Sequence, residues 1–321
     1  MNELKVLFTA VGSIGTRHLM NLAQICNERG IELTTDVIRR SNRILPAELS
    51  QHIRNQYRSL DEVKDYYDVT FVTEATASHF KSMLYMRSQT KHMFVEKPIF
   101  DTTDYSLAAV MPSKESVYYV AAPIRFTKYY QQLKQIVSSK KVFAARIIFS
   151  SYMPNWQKGR DYRESFRTKR ALGGGVDIDS LHEIDYITAL FGMPRAMSRH
   201  AGHYSDLEMD ACDIADYIFE YDDKLVQLQI DYFGRVNNRR VEFFCDDDVV
   251  TCDFNTKIVT FQRFGKTASF SPENNFYYDE MSYFIDLLED AFKGEYRLKN
   301  INPVDRAFQT LGLAKGKVKE N

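Results

Sequence analysis

Cysteine is scarce in this chain: Cys26, Cys212, Cys245 and Cys252 are the four in 321 residues. None forms a C-x-x-C pair or a metal-like spacing with the histidines, so neither a disulfide-stapled scaffold nor a metal centre is expected. Free thiols in a reducing, cytoplasmic setting are the expectation. No uninterrupted apolar run approaches the roughly 18 residues of a membrane helix. The start, MNELKVLF, lacks a basic stretch followed by an apolar one, so no secretory signal is expected. Neither sign of charge dominates: 42 Lys and Arg against 43 Asp and Glu give a formal net charge of -1. That removes the global electrostatic footprint of a nucleic-acid binder. Internal repeats and low-complexity segments are absent. Glycine is sparse, at 14 residues, so the places where it clusters, Gly12 with Gly15 and the triplet 173–175, carry weight.

What is present over residues 1–121 is an alternation of short apolar runs with helical stretches. LKVLFTAV is strand-like, and IGTRHLMNLAQICNERG sets Ile14, Leu19, Leu22, Ala23 and Ile25 near helical spacing before closing on Gly30. IELTTDVIRR reads as a second strand, LDEVKDYYDVTFVTEA as a helix then a strand, HFKSMLYMRSQT as a helix, HMFVEKP as a strand, and YSLAAVMPSKESVYYVAAP as one more of each. Strands separated in this way predict parallel β-α-β units and a doubly wound sheet. Residues 122–321 are richer in strands. In LVQLQIDYF, Val226, Leu228, Ile230 and Tyr232 share one face while Gln227, Gln229 and Asp231 share the other, as in an antiparallel strand buried on one side. DIDSLHEIDYITALFG predicts a single helix. The last fifty residues return to helix. The predicted architecture is α/β: a nucleotide-binding Rossmann domain over 1–121 and an α+β domain over 122–321. The second is expected to have an open, largely antiparallel sheet, to bind substrate and to join homodimers or homotetramers.

The turn VGSIGTRH nearly completes G-x-G-x-x-G, with Ala10 in the first glycine's place. Gly12 and Gly15 hold the positions that admit a pyrophosphate and pack helix on strand, and Ser13 and Ile14 open the helix whose N-terminus faces the phosphate. Alanine adds one methyl, tolerable while its φ stays negative. An acidic residue about 20 positions on would grip the ribose of NAD. The second strand ends instead in Arg39, Arg40, Ser41 and Arg43, and Asp36 is expected within the strand. Guanidinium forks suit a phosphate monoester, so NADP(H) is favoured, with NAD(H) the alternative.

VGSIGTRH, then FVEKPIF at 94–100, then GGGVDIDSLHEIDY at 173–186, together resemble the Gfo/Idh/MocA oxidoreductases, the family of glucose–fructose oxidoreductase and inositol dehydrogenase. The resemblance runs from residue 5 to about residue 192. It implies that Glu96-Lys97-Pro98 matches the family's E-K-P, with Lys97 beside the nicotinamide and the peptide before the proline often cis. It implies that His182 is the acid/base for a substrate hydroxyl. The family's aspartate four residues before that histidine is replaced by Ile178, and Asp179 stands one position nearer as its counterpart. Asp185, at i+3 from His182, is the other candidate to orient the imidazole. In the loop after the third strand the family's T-N-P reads Thr73-Glu74-Ala75, followed by His79, and these residues are expected near the cofactor.

Such an enzyme would pass a hydride between nicotinamide and a carbon bearing a hydroxyl or carbonyl, with His182 handling the proton and Lys97 stabilising alkoxide charge. Residues 152–175 carry Lys158, Arg160, Arg163, Arg167, Lys169 and Arg170 against Asp161 and Glu164, interleaved with Tyr152, Trp156, Tyr162 and Phe166. Aromatic faces stack on sugars and arginines pair with carboxylate or phosphate, which predicts an anionic sugar: a nucleotide-linked sugar or a sugar acid. Arg125, Trp156, Arg160, Tyr162, Arg163 and Asp185 are the expected substrate contacts. The same stretch resembles a branch of the family associated with bacterial surface polysaccharides. The rival readings are a non-catalytic nucleotide-binding regulator or scaffold, and an epimerase or lyase whose redox step is transient.

Overall fold

The computed structural model describes residues 1–42, 44–156, 159–271 and 274–318. Arg43 and Lys158, named above, lie outside the described residues. The chain divides into two compact units, Met1–Pro123 with Asn275–Phe308, and Ile124–Asn274 with Gln309–Asn321.

In the first unit, strands β1 (Glu3–Phe8), β2 (Glu32–Ile38), β3 (Asn55–Tyr57), β4 (Tyr67–Val72), β5 (Thr90–Val95) and β6 (Tyr118–Val120) form one sheet in the order β3-β2-β1-β4-β5-β6. Every pairing is parallel. This is the doubly wound order, whose reversal lies between β1 and β4. The central strands are apolar on both faces because helices cover both. Helix α1 (Ser13–Arg29) buries Leu19, Leu22, Ile25 and Cys26 and stops at Gly30, whose φ of 67° suits the left-handed cap. The second crossover keeps only a short helix, α2 (Ala47–Ser50), and the next helix is α3 (His79–Met86).

Residues 275–308 belong to this first unit, so the division differs from the boundary expected at 121/122. The reason is the apolar stripe of the helix Phe276–Phe292, α7 in chain order, which buries Met281, Phe284, Ile285 and Leu288. Phe284 packs edge-on against Phe71 and Phe94 at 5.9 and 5.2 Å. Arg29 of α1 ties to the same helix through Asp286 (2.7 Å) and Ser282 (2.6 Å).

The second unit holds β7 (Val142–Tyr152), β8 (Ala196–Gly202), β9 (Ile214–Glu220), β10 (Leu225–Asp231), β11 (Phe233–Cys245), β12 (Val249–Asp253), β13 (Ile258–Phe261) and β14 (Lys266–Ser269). Their order is β14-β13-β12-β11-β7-β10-β9-β8. Only β7 with β10 is parallel, so the open sheet is largely antiparallel, as expected. Helices α4 (Lys128–Ser139), α5 (Val176–Asp179) and α6 (Leu181–Phe191) accompany it. Val226, Leu228, Ile230 and Tyr232 are buried as the alternation predicts. Asp231 departs from it: it is buried at the strand end, accepting from Ser150 Oγ (2.8 Å) and the Gly234 N–H (2.9 Å). All four cysteines are free thiols, and no helix among the described residues is long and apolar enough to cross a membrane.

Candidate functional site

In the first unit the expected cofactor residues gather at the carboxyl ends of β1, β2, β4 and β5, where ligands of doubly wound sheets bind. Helix α1 starts directly after Gly12, with no acidic residue in its first turn. A Cβ at Gly15 would lie 2.2 Å from the Ala10 carbonyl oxygen, so the helix sits on the turn as closely as a bare Cα allows. Ala10 is not among the residues of positive φ, and its carbonyl accepts from Thr73 Oγ1 at 2.6 Å, across the switch point. A Cβ at Gly12 would meet nothing within 4 Å, and its φ is -73°. No atom of the described residues therefore requires glycine at position 12. The open space lies over the first free N–H groups of the helix, beside the exposed Ser13 and half-buried Ile14, and it fits a pyrophosphate.

Among the described residues, no carboxylate at the end of β2 is available for a ribose. Asp36 is wholly buried and takes a two-pronged bond from Arg54, Nε to Oδ1 at 3.0 Å and Nη2 to Oδ2 at 2.5 Å, with the Tyr67 hydroxyl at 2.7 Å. Burial alone would raise its carboxyl, but the Arg54 and Tyr67 bonds outweigh that and hold it below the usual range. Arg39, Arg40 and Ser41 follow the strand. Arg39 is half-buried and donates to Gln56 Oε1 (2.9 Å), while Arg40 and Ser41 are exposed.

Glu96 ends the next parallel strand but one from β1. It is buried, and its Oε1 lies 2.5 Å from His18 Nε2, itself wholly buried on α1. Its Oε2 accepts the backbone N–H of Lys97 at 3.1 Å. Burial pushes this carboxyl up, and the His18 bond together with the Lys97 amide and charge reverses the shift to below the ordinary value. The half-buried Lys97 is joined to Pro98 by a cis peptide. His79 spans the loops after β4 and β5, with Nδ1 3.1 Å from the Pro98 carbonyl oxygen and Nε2 3.1 Å from that of Glu74. Both Glu74 carboxylate oxygens are buried without a hydrogen-bond partner among the described residues.

In the second unit the triple glycine is read directly by the fold. Gly175 has a φ of 125°, and a Cβ at Gly174 would lie 2.4 Å from the Phe166 carbonyl oxygen. The predicted single helix breaks at Ser180 into α5 and α6. Asp177 turns to Arg199 (2.7 Å), and Ile178 is core. Asp179 accepts from Arg167 Nε (2.9 Å) and the Tyr232 hydroxyl (3.3 Å). His182 is half-buried in the first turn of α6. Asp185 is gripped on both oxygens by Arg125, Nε to Oδ2 at 2.8 Å and Nη2 to Oδ1 at 2.6 Å, so these two expected substrate residues bind each other. Arg163 is likewise engaged, by Asp161 and Glu208. Trp156, Arg160 and Tyr162 line a cleft of about 220 Å³ together with Arg167.

Residues 130–251 match the family model described as the GFO/IDH/MocA C-terminal domain. That stretch of the chain is similar to the C-terminal domain of Gfo/Idh/MocA proteins. No curated protein matches its sequence. Solved structures similar to this chain include an oxidoreductase of Thermotoga maritima, at 17% identity and a TM-score of 0.78, covering 98% of this chain and 95% of the other. The WlbA dehydrogenase of Bordetella pertussis, solved with NADH and UDP-GlcNAcA, gives 12% identity and a TM-score of 0.76 over 98% and 95%. The myo-inositol 2-dehydrogenase of Lactobacillus plantarum gives 17% and 0.72 over 98% and 96%.

Sequence reasoning missed three participants. His18 was legible as a polar residue on the buried stripe of α1, three positions after Gly15. Arg167 counted as one of six basic residues, with no sign that it would hold Asp179. Arg54, which occupies Asp36, carried no signal, because it lies before Leu60 in a stretch to which the sequence pattern assigned no element.

Proposed function

We propose that this chain is an NAD(P)-dependent oxidoreductase acting on a hydroxyl or carbonyl carbon of a sugar or sugar derivative. The observation that carries the reading is Gly12: a glycine that nothing in the protein requires, at the amino end of α1 and at the switch point of a doubly wound sheet. The dehydrogenases similar in fold support the same chemistry. A bound nicotinamide would supply the acceptor or donor of the hydride. His182 takes the proton from the substrate hydroxyl, the imidazole serving as the general base. The Lys97 ammonium stabilises the alkoxide, and Glu96, fixed by His18, positions the Lys97 backbone. Asp179, or Asp185 through Arg125, orients the second unit's residues.

NADP(H) is the favoured cofactor, because the carboxylate of β2 is consumed by Arg54 and the strand opens onto Arg39, Arg40 and Ser41. The substrate is an anionic sugar, and the second unit's open sheet pairs with a second copy through a face that exposes Phe143. The test mixes the protein with NADP+ or NAD+ and a panel of nucleotide-linked sugars and sugar acids, following the reduced-nicotinamide absorbance. Reduction with NADP+ preferred is expected. No reduction with any member, and no oxidation of NADPH by the matching keto-sugars, would overturn the reading.

A further inference from the structure

Two of the basic side chains along 152–175 meet in one place. Residues 159–175 fold into successive single turns, pinned by Asp161 accepting from the Arg163 N–H (2.9 Å) and Asp210 from the Arg170 N–H (2.7 Å). Against this strap lies the cleft of about 220 Å³, lined by Met153, Pro154, Trp156, Arg160, Tyr162 and Arg167 among others. Arg163 is spent on Asp161 and Glu208. Arg160 has no acidic side chain within ion-pair distance among the described residues. Arg167 gives its Nε to Asp179, and its two terminal nitrogens hold no hydrogen bond among the described residues.

The rings beside these cations are held at their polar atoms. Trp156 Nε1–H donates to Ser151 Oγ (3.1 Å), its ring lies at right angles to Tyr232 (5.3 Å), and the residue stays 38% exposed. The Tyr162 hydroxyl accepts the Glu208 N–H at 3.0 Å. Two guanidinium groups with open donors, next to two pinned aromatic rings, match a planar ring carrying phosphate. The cleft is below the roughly 300 Å³ of a pocket for a whole ligand, so it takes one part of a larger molecule and favours a single-ring base over a purine.

We propose that this cleft anchors the pyrimidine-nucleotide end of a nucleoside-diphosphate-linked substrate, with Arg160 and the terminal nitrogens of Arg167 on phosphate oxygens and Trp156 and Tyr162 beside the base. The oxidoreductase reading above is needed for what the phosphate carries, not for the anchoring. Arg167 then does two things with one planar fork, holding phosphate on one side and Asp179 on the other. Filling the cleft orders the aspartate next to the helix of His182.

The experiment is calorimetric titration of the NADPH-saturated protein with UDP, so that the dinucleotide site is already filled. UDP is expected to bind, more tightly than GDP, with an affinity that falls as salt rises. Arg160→Ala should weaken UDP at least roughly tenfold, the low end for a lost hydrogen bond to a charged group, while NADPH affinity stays unchanged. Arg167→Lys should also weaken UDP, because an ammonium cannot serve both partners. Failure of UDP to bind, Arg160→Ala binding UDP like the parent, or glucuronate binding more tightly than UDP would each overturn the proposal. If NADPH itself does not bind, the same titration on the protein alone still tests the cleft, and it is the oxidoreductase reading that fails.

Discussion

Gly12 and Gly15 are three residues apart in one turn, yet alanine should do opposite things at each. At Gly15 the new Cβ would stand 2.2 Å from the Ala10 carbonyl oxygen, where real Cβ atoms essentially never come within 3.0 Å, so turn and helix must part by at least 0.8 Å. The Ala10 carbonyl also holds Thr73 Oγ1, and the strain would spread across the switch point. Overpacking of this kind costs about 1–3 kcal/mol or more. At Gly12 the Cβ meets no protein atom and the φ of -73° suits alanine. A small gain from a stiffer unfolded chain and a small loss at the helix cap leave stability within about 1 kcal/mol of the parent. The methyl nevertheless fills the space assigned to the pyrophosphate, so Gly12→Ala should weaken NADPH at least roughly tenfold. Urea unfolding and fluorescence titration with NADPH, run on both variants, separate the two effects. A Gly12→Ala protein that binds NADPH like the parent would refute the cradle.

Three further outcomes follow from buried polar groups and the β2 edge. His92 is wholly buried, accepts the Val117 N–H (2.9 Å), and is held by burial at about 4 against an ordinary 6.5. Its folded-state pKa is depressed, so its contribution is complete above pH 6.5 and is lost as the pH falls toward 4. Unfolding free energy measured against pH should drop by about 2 kcal/mol near pH 5 from this residue, and His92→Gln should flatten that slope; an unchanged slope would contradict it. Asp185→Asn removes the carboxylate charge from a pair whose side chains are 7% and 10% exposed. It should cost about 3 kcal/mol in urea unfolding, and a loss below about 1 would show the pair to be well solvated. Arg40→Ala should weaken NADPH roughly tenfold with NADH unaffected, and equal losses for both would remove Arg40 from the 2′-phosphate.

The parallel sheet was legible because hydrophobic runs flanked by turn residues report strands, and VGSIGTRH reports where the first crossover begins. Less visible was what chain order conceals. The helix Phe276–Phe292 returns to the first sheet, since its apolar stripe matches Phe71 and Phe94 and nothing local in its sequence names that partner. The stretch before β4 was read as a helix but forms only a brief turn at Leu60–Glu62, after a three-residue strand too short to register as a run. DIDSLHEIDYITALFG showed its apolar period and hid its break at Ser180. Lys97 and His182 were expected from the family resemblance, whereas pairings are three-dimensional. That Asp36 is consumed by Arg54, Asp185 by Arg125, and Asp179 by Arg167 followed from no spacing.

Lys97 bears the central claim most directly. The measurement is a single-turnover experiment with Lys97→Met, reading NADP+ affinity and the rate of reduced-nicotinamide formation on one sample. Affinity within about twofold of the parent, with the rate down by roughly a hundredfold or more, is the predicted result. Turnover at the parent rate would contradict it.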